Sequence, residues 1–131
     1  MELITAIEQS ATLVKSRARL SAPPRLALIL GSGLGALAEK VRVDAKIAYH
    51  DLPGFAAPSV SGHKGELLVG DLNGKKVLVF SGRMHFYEGH EPIRCTLPVR
   101  LAARLGAGVM VLTSAVGGIN KSYRAGDSVL I

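Results

Sequence analysis

The sequence predicts an α/β fold: a mixed twisted sheet flanked by helices, truncated at its C-terminus. Three observations point there. Apolar residues recur at helical spacing near the start, short continuous apolar runs recur at strand length, and three of those runs break directly into small glycine-rich turns. With 131 residues and 48% hydrophobic content, the chain can build one core but not two ordinary domains, so residues 1–131 read as a single domain. No linker, internal repeat or low-complexity tract divides it.

Leu3, Ile4, Ile7, Ala11, Val14 and Ala18 lie three and four residues apart, which predicts an amphipathic helix over residues 3–19 lying on a sheet. Ser21-Ala22-Pro23-Pro24 stops it. Leu26 to Leu30 is apolar throughout, as suits a strand covered on both faces, and it turns at once into Gly31-Ser32-Gly33-Leu34-Gly35. A short helix near 36–41 follows, then a strand at Ile47 to His50 ended by Asp51-Leu52-Pro53-Gly54. Glu66 to Leu72 and Lys75 to Phe80 flank Asn73-Gly74, a pair that supplies the positive backbone angles of a two-residue hairpin. Pro92 suits the first turn of a helix running to about Leu105, kinked or delayed by Pro98 and stopped by Gly106. Val109 to Thr113 reads as another buried strand, leading into Ser114-Ala115-Val116-Gly117-Gly118. Asp127 to Ile131 begins one more strand, and apolar Val129-Leu130-Ile131 leave the pattern unfinished.

Composition narrows the function. Cys95 is the only cysteine, expected as a buried thiol, so an intrachain disulfide and a thiolate cluster are excluded, and no metal site is visible. The formal charge of +6 comes from scattered basic residues with Lys75-Lys76 the only adjacent pair, and aromatic content is 5%. That pattern suits small anions rather than nucleic acid. No apolar run reaches the roughly 18 residues of a membrane span. The opening MELITAIEQS carries acids where a secretory leader carries bases, so the expected location is the cytoplasm.

The three turns, at 31–35, 81–83 and 114–118, each end an apolar strand and should share one edge of the sheet. In open α/β sheets ligands bind outside the carboxyl ends of the strands, where short loops offer backbone N–H groups. Ser32, Arg83 and His85 would meet there, with Gly62-His63-Lys64-Gly65 as a fourth glycine-flanked element. A guanidinium fork, a hydroxyl, ring N–H groups and closely approaching backbone form a receptor for an oxyanion such as a phosphate dianion. Tyr87 is placed to reach a neighbouring hydroxyl, and Glu88-Gly89 to close the turn. Plainer readings stand beside these. Ser32 also suits the cap of the following helix, a role compatible with anion binding. Tyr87 and Val116 also suit packing, and Met84 and Phe86 alternate with the polar residues as core. Gly31-x-Gly33-x-x-Ala36 with Asp51, 20 residues after Gly31, fits a dinucleotide fingerprint too, but that reading leaves His63, Arg83 and His85 without work.

Gly31-Ser32-Gly33-Leu34-Gly35, Gly62-His63-Lys64-Gly65, Gly82-Arg83-Met84-His85-Phe86-Tyr87-Glu88-Gly89 and Thr113-Ser114-Ala115-Val116-Gly117-Gly118 resemble, in order and spacing, the motifs of trimeric purine nucleoside phosphorylases. The resemblance implies a nucleoside phosphorylase-like fold of which this is the amino-terminal part. It implies phosphate binding by the side chains of Ser32, His63, Arg83 and His85 and by the backbone N–H of Ala115, with His85 as the catalytic side chain. Tyr87 would touch the ribose, and Val116 with Gly117 would line the base pocket. Ser114 and Val116 depart from the family's usual Thr-Asn-Ala-Ala-Gly-Gly. The implied reaction is phosphorolysis of purine nucleosides, with inorganic phosphate as co-substrate and no cofactor, in a homotrimer. The glutamate and asparagine that meet the purine in the family would lie beyond Ile131, so this chain alone is expected to be inactive without a complementing C-terminal chain. A methylthioadenosine phosphorylase, or a truncated paralogue that keeps the fold without the activity, are the alternatives. Tyr87-Glu88-Gly89 after His85 favours the nucleoside branch.

Overall fold

The computed structural model describes residues 2–56 and 64–131. Five strands, β1 (Leu26–Leu30), β2 (Arg42–Ala48), β3 (Glu66–Leu72), β4 (Lys75–Ser81) and β5 (Val109–Leu112), form one sheet in the order β2-β3-β4-β1-β5. β1 pairs in parallel with β4 on one side and β5 on the other, while β2, β3 and β4 are joined antiparallel, so the sheet is mixed as predicted. The β3–β4 hairpin turns at Asn73 and Gly74, with φ of 51° and 75°. Those angles suit asparagine and glycine, and Asp71 secures the turn by accepting the Gly74 N–H at 2.9 Å.

Alternation along the strands sends side chains to two faces. On one face Leu78 and Phe80 of β4 and Ala27 and Ile29 of β1 pack beneath α1 (Leu3–Ala18) and α4 (Leu97–Arg104), which bury Ala11, Val14, Leu97 and Leu101 there. On the other face Val77, Val79, Leu28 and Leu30 meet Ala38 of the short α2 (Gly35–Ala38) and Val41. The core therefore consists of two layers, one on each face. Burying a Leu, Val or Phe side chain in these layers contributes about 1.5–3 kcal/mol. Exposed ion pairs orient α1. Arg17 meets Asp51 at 2.6 Å and Arg104 meets Glu8 at 2.6 Å, and the hydrogen-bonded guanidinium in each pair holds its carboxyl below the usual range.

Several elements differ from expectation. α1 ends at Ala18 because Arg19 turns left-handed (φ 48°) and gives its N–H to Lys15 and Ser16 carbonyls, ahead of the Ser21–Pro24 stop. β2 begins at Arg42 rather than Ile47 and ends before His50, which lies in a 3-10 turn (Tyr49–Asp51). Three of its four exposed residues, Arg42, Asp44 and Lys46, are polar, so antiparallel pairing with β3 makes it a strand without an apolar run. The 92–105 helix divides at Thr96 into α3 (Pro92–Cys95) and α4, because Pro98 has no N–H for the preceding turn and its ring crowds it. Gly106, at φ 81°, ends α4 as predicted. Cys95 is only half-buried. Phe86 is 70% exposed rather than core, because residues 86–88 form a 3-10 turn that breaks the alternation begun by buried Met84. Residues 127–131 pair with no strand among the described residues and are exposed.

Gly70 faces Val43 beside the bulge where β2 shifts register between Val43 and Ala45. A Cβ at Gly70 would lie 2.7 Å from Val41 Cγ1 and against the Arg42 carbonyl, whereas one at Gly117 would meet nothing within 4 Å. Gly70→Ala is expected to destabilise the protein by about 1–3 kcal/mol in urea unfolding, and Gly117→Ala to leave the midpoint unchanged.

Candidate functional site

Because β4, β1 and β5 are neighbours that run the same way, their carboxyl ends share one edge of the sheet, and the turns after Leu30, Ser81 and Leu112 open from it. The positional expectation holds. β2 also runs in this direction, and it is followed by Tyr49, a fully buried residue whose hydroxyl donates to the Gly82 carbonyl at 2.6 Å. Burial, with the nearby Glu66 carboxylate, pushes the phenol strongly up, so it remains a donor. Gly65 N–H donates to the Ser81 carbonyl (2.9 Å) and its own carbonyl accepts from Tyr49 N–H (2.8 Å). The 81–82 backbone is thus clamped from two sides before it reaches Arg83.

Arg83 joins two of the three turns. Its Nε donates to His85 Nε2 at 3.2 Å, and its Nη1 donates to the Thr113 carbonyl at 3.1 Å. A guanidinium only donates, so Nε2 must carry a lone pair and the proton of the neutral ring sits on Nδ1. Nδ1 lies 2.8 Å from Glu88 Oε2, the same oxygen that accepts the His85 backbone N–H at 2.7 Å. The Glu88 side chain is 4% exposed, and Glu88 N–H returns to the His85 carbonyl at 3.1 Å, closing the turn over Phe86–Glu88 as the sequence reading required. The Tyr87 ring stacks on the imidazole, with centroids 4.7 Å apart and planes at 21°. Backbone, carboxylate, guanidinium and phenol ring therefore hold one imidazole in a single tautomer and orientation.

Thr113 ties the third turn to the first. Its Oγ1 donates to the Ile29 carbonyl (2.9 Å) and accepts the Gly31 N–H (2.9 Å). Ser32, next along, is exposed, and its hydroxyl has no hydrogen-bond partner among the described residues. It does not cap α2, whose N-cap is Leu34. Ala115, Val116 and Gly117 continue from Thr113 as exposed chain, and at 82% exposure Val116 is not core. His63 lies outside the described residues. The sequence marks Glu88 only as a turn-closing residue and Thr113 only as the first residue of a motif, and it does not mark Tyr49. Their bonds span up to 84 residues, so the sequence carries no local signal of them.

The dinucleotide reading fails on topology. It needs the strand before the glycine turn to lie next to and parallel with the following strand across a full helix. Here β3 and β4 separate β1 from β2, the intervening helix has four residues, and Asp51 is paired with Arg17. A cleft of about 580 Å³ opens near the amino ends of β2 and β4, away from these turns. Its Arg17 pairs with Asp51 and its Lys76 with Asp44, so its charges are largely spent within the protein. Among the described residues no three His, Cys, Asp or Glu side chains cluster as a metal site, and no helix is long and apolar enough to cross a membrane.

Residues 25–131 match the family described as the phosphorylase superfamily. The chain belongs to it. As a superfamily member it is 44% identical over 127 residues to purine nucleoside phosphorylase 1 of Geobacillus stearothermophilus, covering 97% of this chain and 46% of that protein. It is 41% identical over 108 residues to the rat purine nucleoside phosphorylase, covering 82% of this chain and 37% of the relative. The crystal structure of the Schistosoma mansoni purine nucleoside phosphorylase in complex with acetate superposes with a TM-score of 0.81 at 38% identity, over 95% of this chain and 45% of that one. The chain thus spans between 37% and 46% of the length of these relatives.

Removing the carboxylate with Glu88→Ala is expected to release the imidazole. Long-range proton–nitrogen spectra should find His85 with its proton on Nδ1 in the parent and divided between both nitrogens in the variant.

Proposed function

We propose that residues 1–131 are the phosphate-binding half of a purine nucleoside phosphorylase, which cleaves purine nucleosides with inorganic phosphate to the free base and ribose 1-phosphate. The observation that carries this reading is the Arg83 junction: a guanidinium fixed between His85 and the end of β5, at the common carboxyl edge of three parallel strands. Similarity to purine nucleoside phosphorylases over almost the whole chain supports it. A phosphate oxygen suits charged, pre-oriented donors of this kind, because their alignment is supplied by folding rather than by binding. Arg83, His85 and the exposed Ser32 are its side-chain partners in this reading, with His63 and the Ala115 N–H completing the cradle. Tyr87 lies against the sugar, and Val116 and Gly117 run along the base side.

In the reaction a phosphate oxygen forms the new bond to the anomeric carbon as the glycosidic bond breaks. The electron pair of that bond leaves with the purine, which takes a proton. Positive charge builds on the ribose during the transfer, and a dianion fixed beside the sugar both stabilises that charge and supplies the nucleophile. His85 is the catalytic side chain in this reading: it meets the phosphate with a ring N–H, which requires Nε2 to carry a proton and to exchange its contact with Arg83 for one with the phosphate. No cofactor enters, the enzyme works in the cytoplasm as a homotrimer, and the groups that receive the purine come from beyond residue 131.

Two measurements test this. Calorimetric titration with inorganic phosphate should detect binding that Arg83→Ala weakens roughly 10- to 100-fold, the loss expected for charged hydrogen bonds. No phosphate binding by the parent would sink the reading. Inosine phosphorolysis by the 131-residue polypeptide should be slight or nil, and robust turnover would refute the placement of the purine contacts outside it.

A further inference from the structure

Arg83 and the 31–35 turn reach the candidate site from different strands, and something must hold them in a common register. We propose that Thr113 is the positioning residue of the phosphate cradle, one residue to which both the first glycine turn and the arginine are pinned. The inference rests on the phosphate reading above, and it adds a residue that reading leaves without a role.

Four hydrogen bonds converge on Thr113. Its backbone N–H donates to the Ile29 carbonyl at 3.1 Å, and its hydroxyl donates to that same oxygen at 2.9 Å. The hydroxyl also accepts the Gly31 N–H at 2.9 Å, and its carbonyl accepts Arg83 Nη1 at 3.1 Å. The hydroxyl thus spends both donor and acceptor capacity on the backbone of the first turn, while the carbonyl orients the guanidinium. Gly31 is fitted to this junction: a Cβ there would stand 2.6 Å from the Thr113 carbonyl oxygen, the atom that receives Arg83. A side chain at position 31 would push the turn off β5 or displace that acceptor. Ser32 follows directly, so its position and that of Arg83 are set from the same residue.

The hydroxyl separates this role from simple strand packing. Valine has threonine's shape and stiffness in a strand but offers no hydrogen bond, whereas serine keeps the hydroxyl and loses the methyl. In the 131-residue protein Thr113→Val is expected to weaken inorganic phosphate binding about tenfold or more, as displaced positioning groups do, with Thr113→Ser within a few-fold of the parent. Without phosphate, the Arg83 Nε signal should move in Thr113→Val toward that of exposed arginines and stay in place in Thr113→Ser. In the parent, the Gly31 amide should exchange with solvent more slowly than that of Gly33. Parent-like affinity together with an unmoved Arg83 signal in Thr113→Val would overturn the proposal, as would Thr113→Ser failing as badly as Thr113→Val. If the parent takes no phosphate, the functional reading fails separately, and the Arg83 signal still decides the role of Thr113. If Thr113→Val does not fold, a Gly31 amide that exchanges as fast as Gly33 in the parent overturns it.

Discussion

β1 hydrogen-bonds to a parallel neighbour on each side, and the direction of those neighbours governs what can meet at the sheet edge. Leu26 is opposite Val77 on one side and Val109 on the other, so β1 and β5 start level, β4 starts two residues earlier, and all three end nearly level. Were β5 reversed, Thr113 would lie roughly 15 Å away at the other edge, out of reach of Arg83. The same pairing brings the Gly31 N–H and the Thr113 hydroxyl within bonding distance across 82 residues of sequence. The antiparallel hairpin adds the second half of the frame. Reversing twice between β2 and β4 leaves β2 parallel to the central strands, so Tyr49 emerges at the same edge and can hold Gly82.

Legibility in the sequence followed how local each signal was. Leu26–Leu30 and the Asn73-Gly74 hairpin were readable because a continuous apolar run and a left-handed pair are properties of a few adjacent residues. The shared edge was readable because three similar strands each ended in a turn of similar composition. β2 was not, since Arg42, Asp44 and Lys46 face outward and only pairing with β3 makes that stretch a strand. Ser32 looked like a cap, but α2 starts one turn later, after Leu34. Phe86 looked like core only while alternation was carried past Met84, and the 3-10 turn at 86–88 cancels it. Tyr49 and Thr113 act on backbone atoms far along the chain, a partnership that neither periodicity nor the motif opened by Thr113 reveals.

The electrostatics of the junction differ from those of a polyanion surface. Arg83 and Glu88 flank the same imidazole with opposite charges, so this cluster carries no net charge while the ring is neutral. The cleft near the amino ends of β2 and β4 is no such surface either, since of its basic residues Arg17 is paired with Asp51 and Lys76 with Asp44. Capture of a phosphate in the proposed function must then draw on aligned donors more than on a broad attractive field. A field attracts any anion and is screened by salt over about 10 Å, whereas a fixed set of donors discriminates by shape. The buried Glu88 carboxylate fits this logic: it gives up some attraction for an anion and in return fixes which His85 nitrogen faces Arg83.

That division extends along the β5 turn. Thr113 is held by four hydrogen bonds, yet three residues later Val116 is 82% exposed, and a Cβ on Gly117 would meet no atom within 4 Å. The described residues therefore build a rigid anchor at 113 and no packed wall against 116–117. In the proposed enzyme this separates two properties that one loop would otherwise couple. Geometry on the phosphate side is fixed by the sheet edge and survives changes at 116, whereas the fit of a base beside Val116 depends on whatever packs against that side. Of the two departures, Val116 falls on the second side of this boundary and bears on the base, whereas Ser114 shares its peptide with the Ala115 N–H of the proposed cradle and so bears on the phosphate loop.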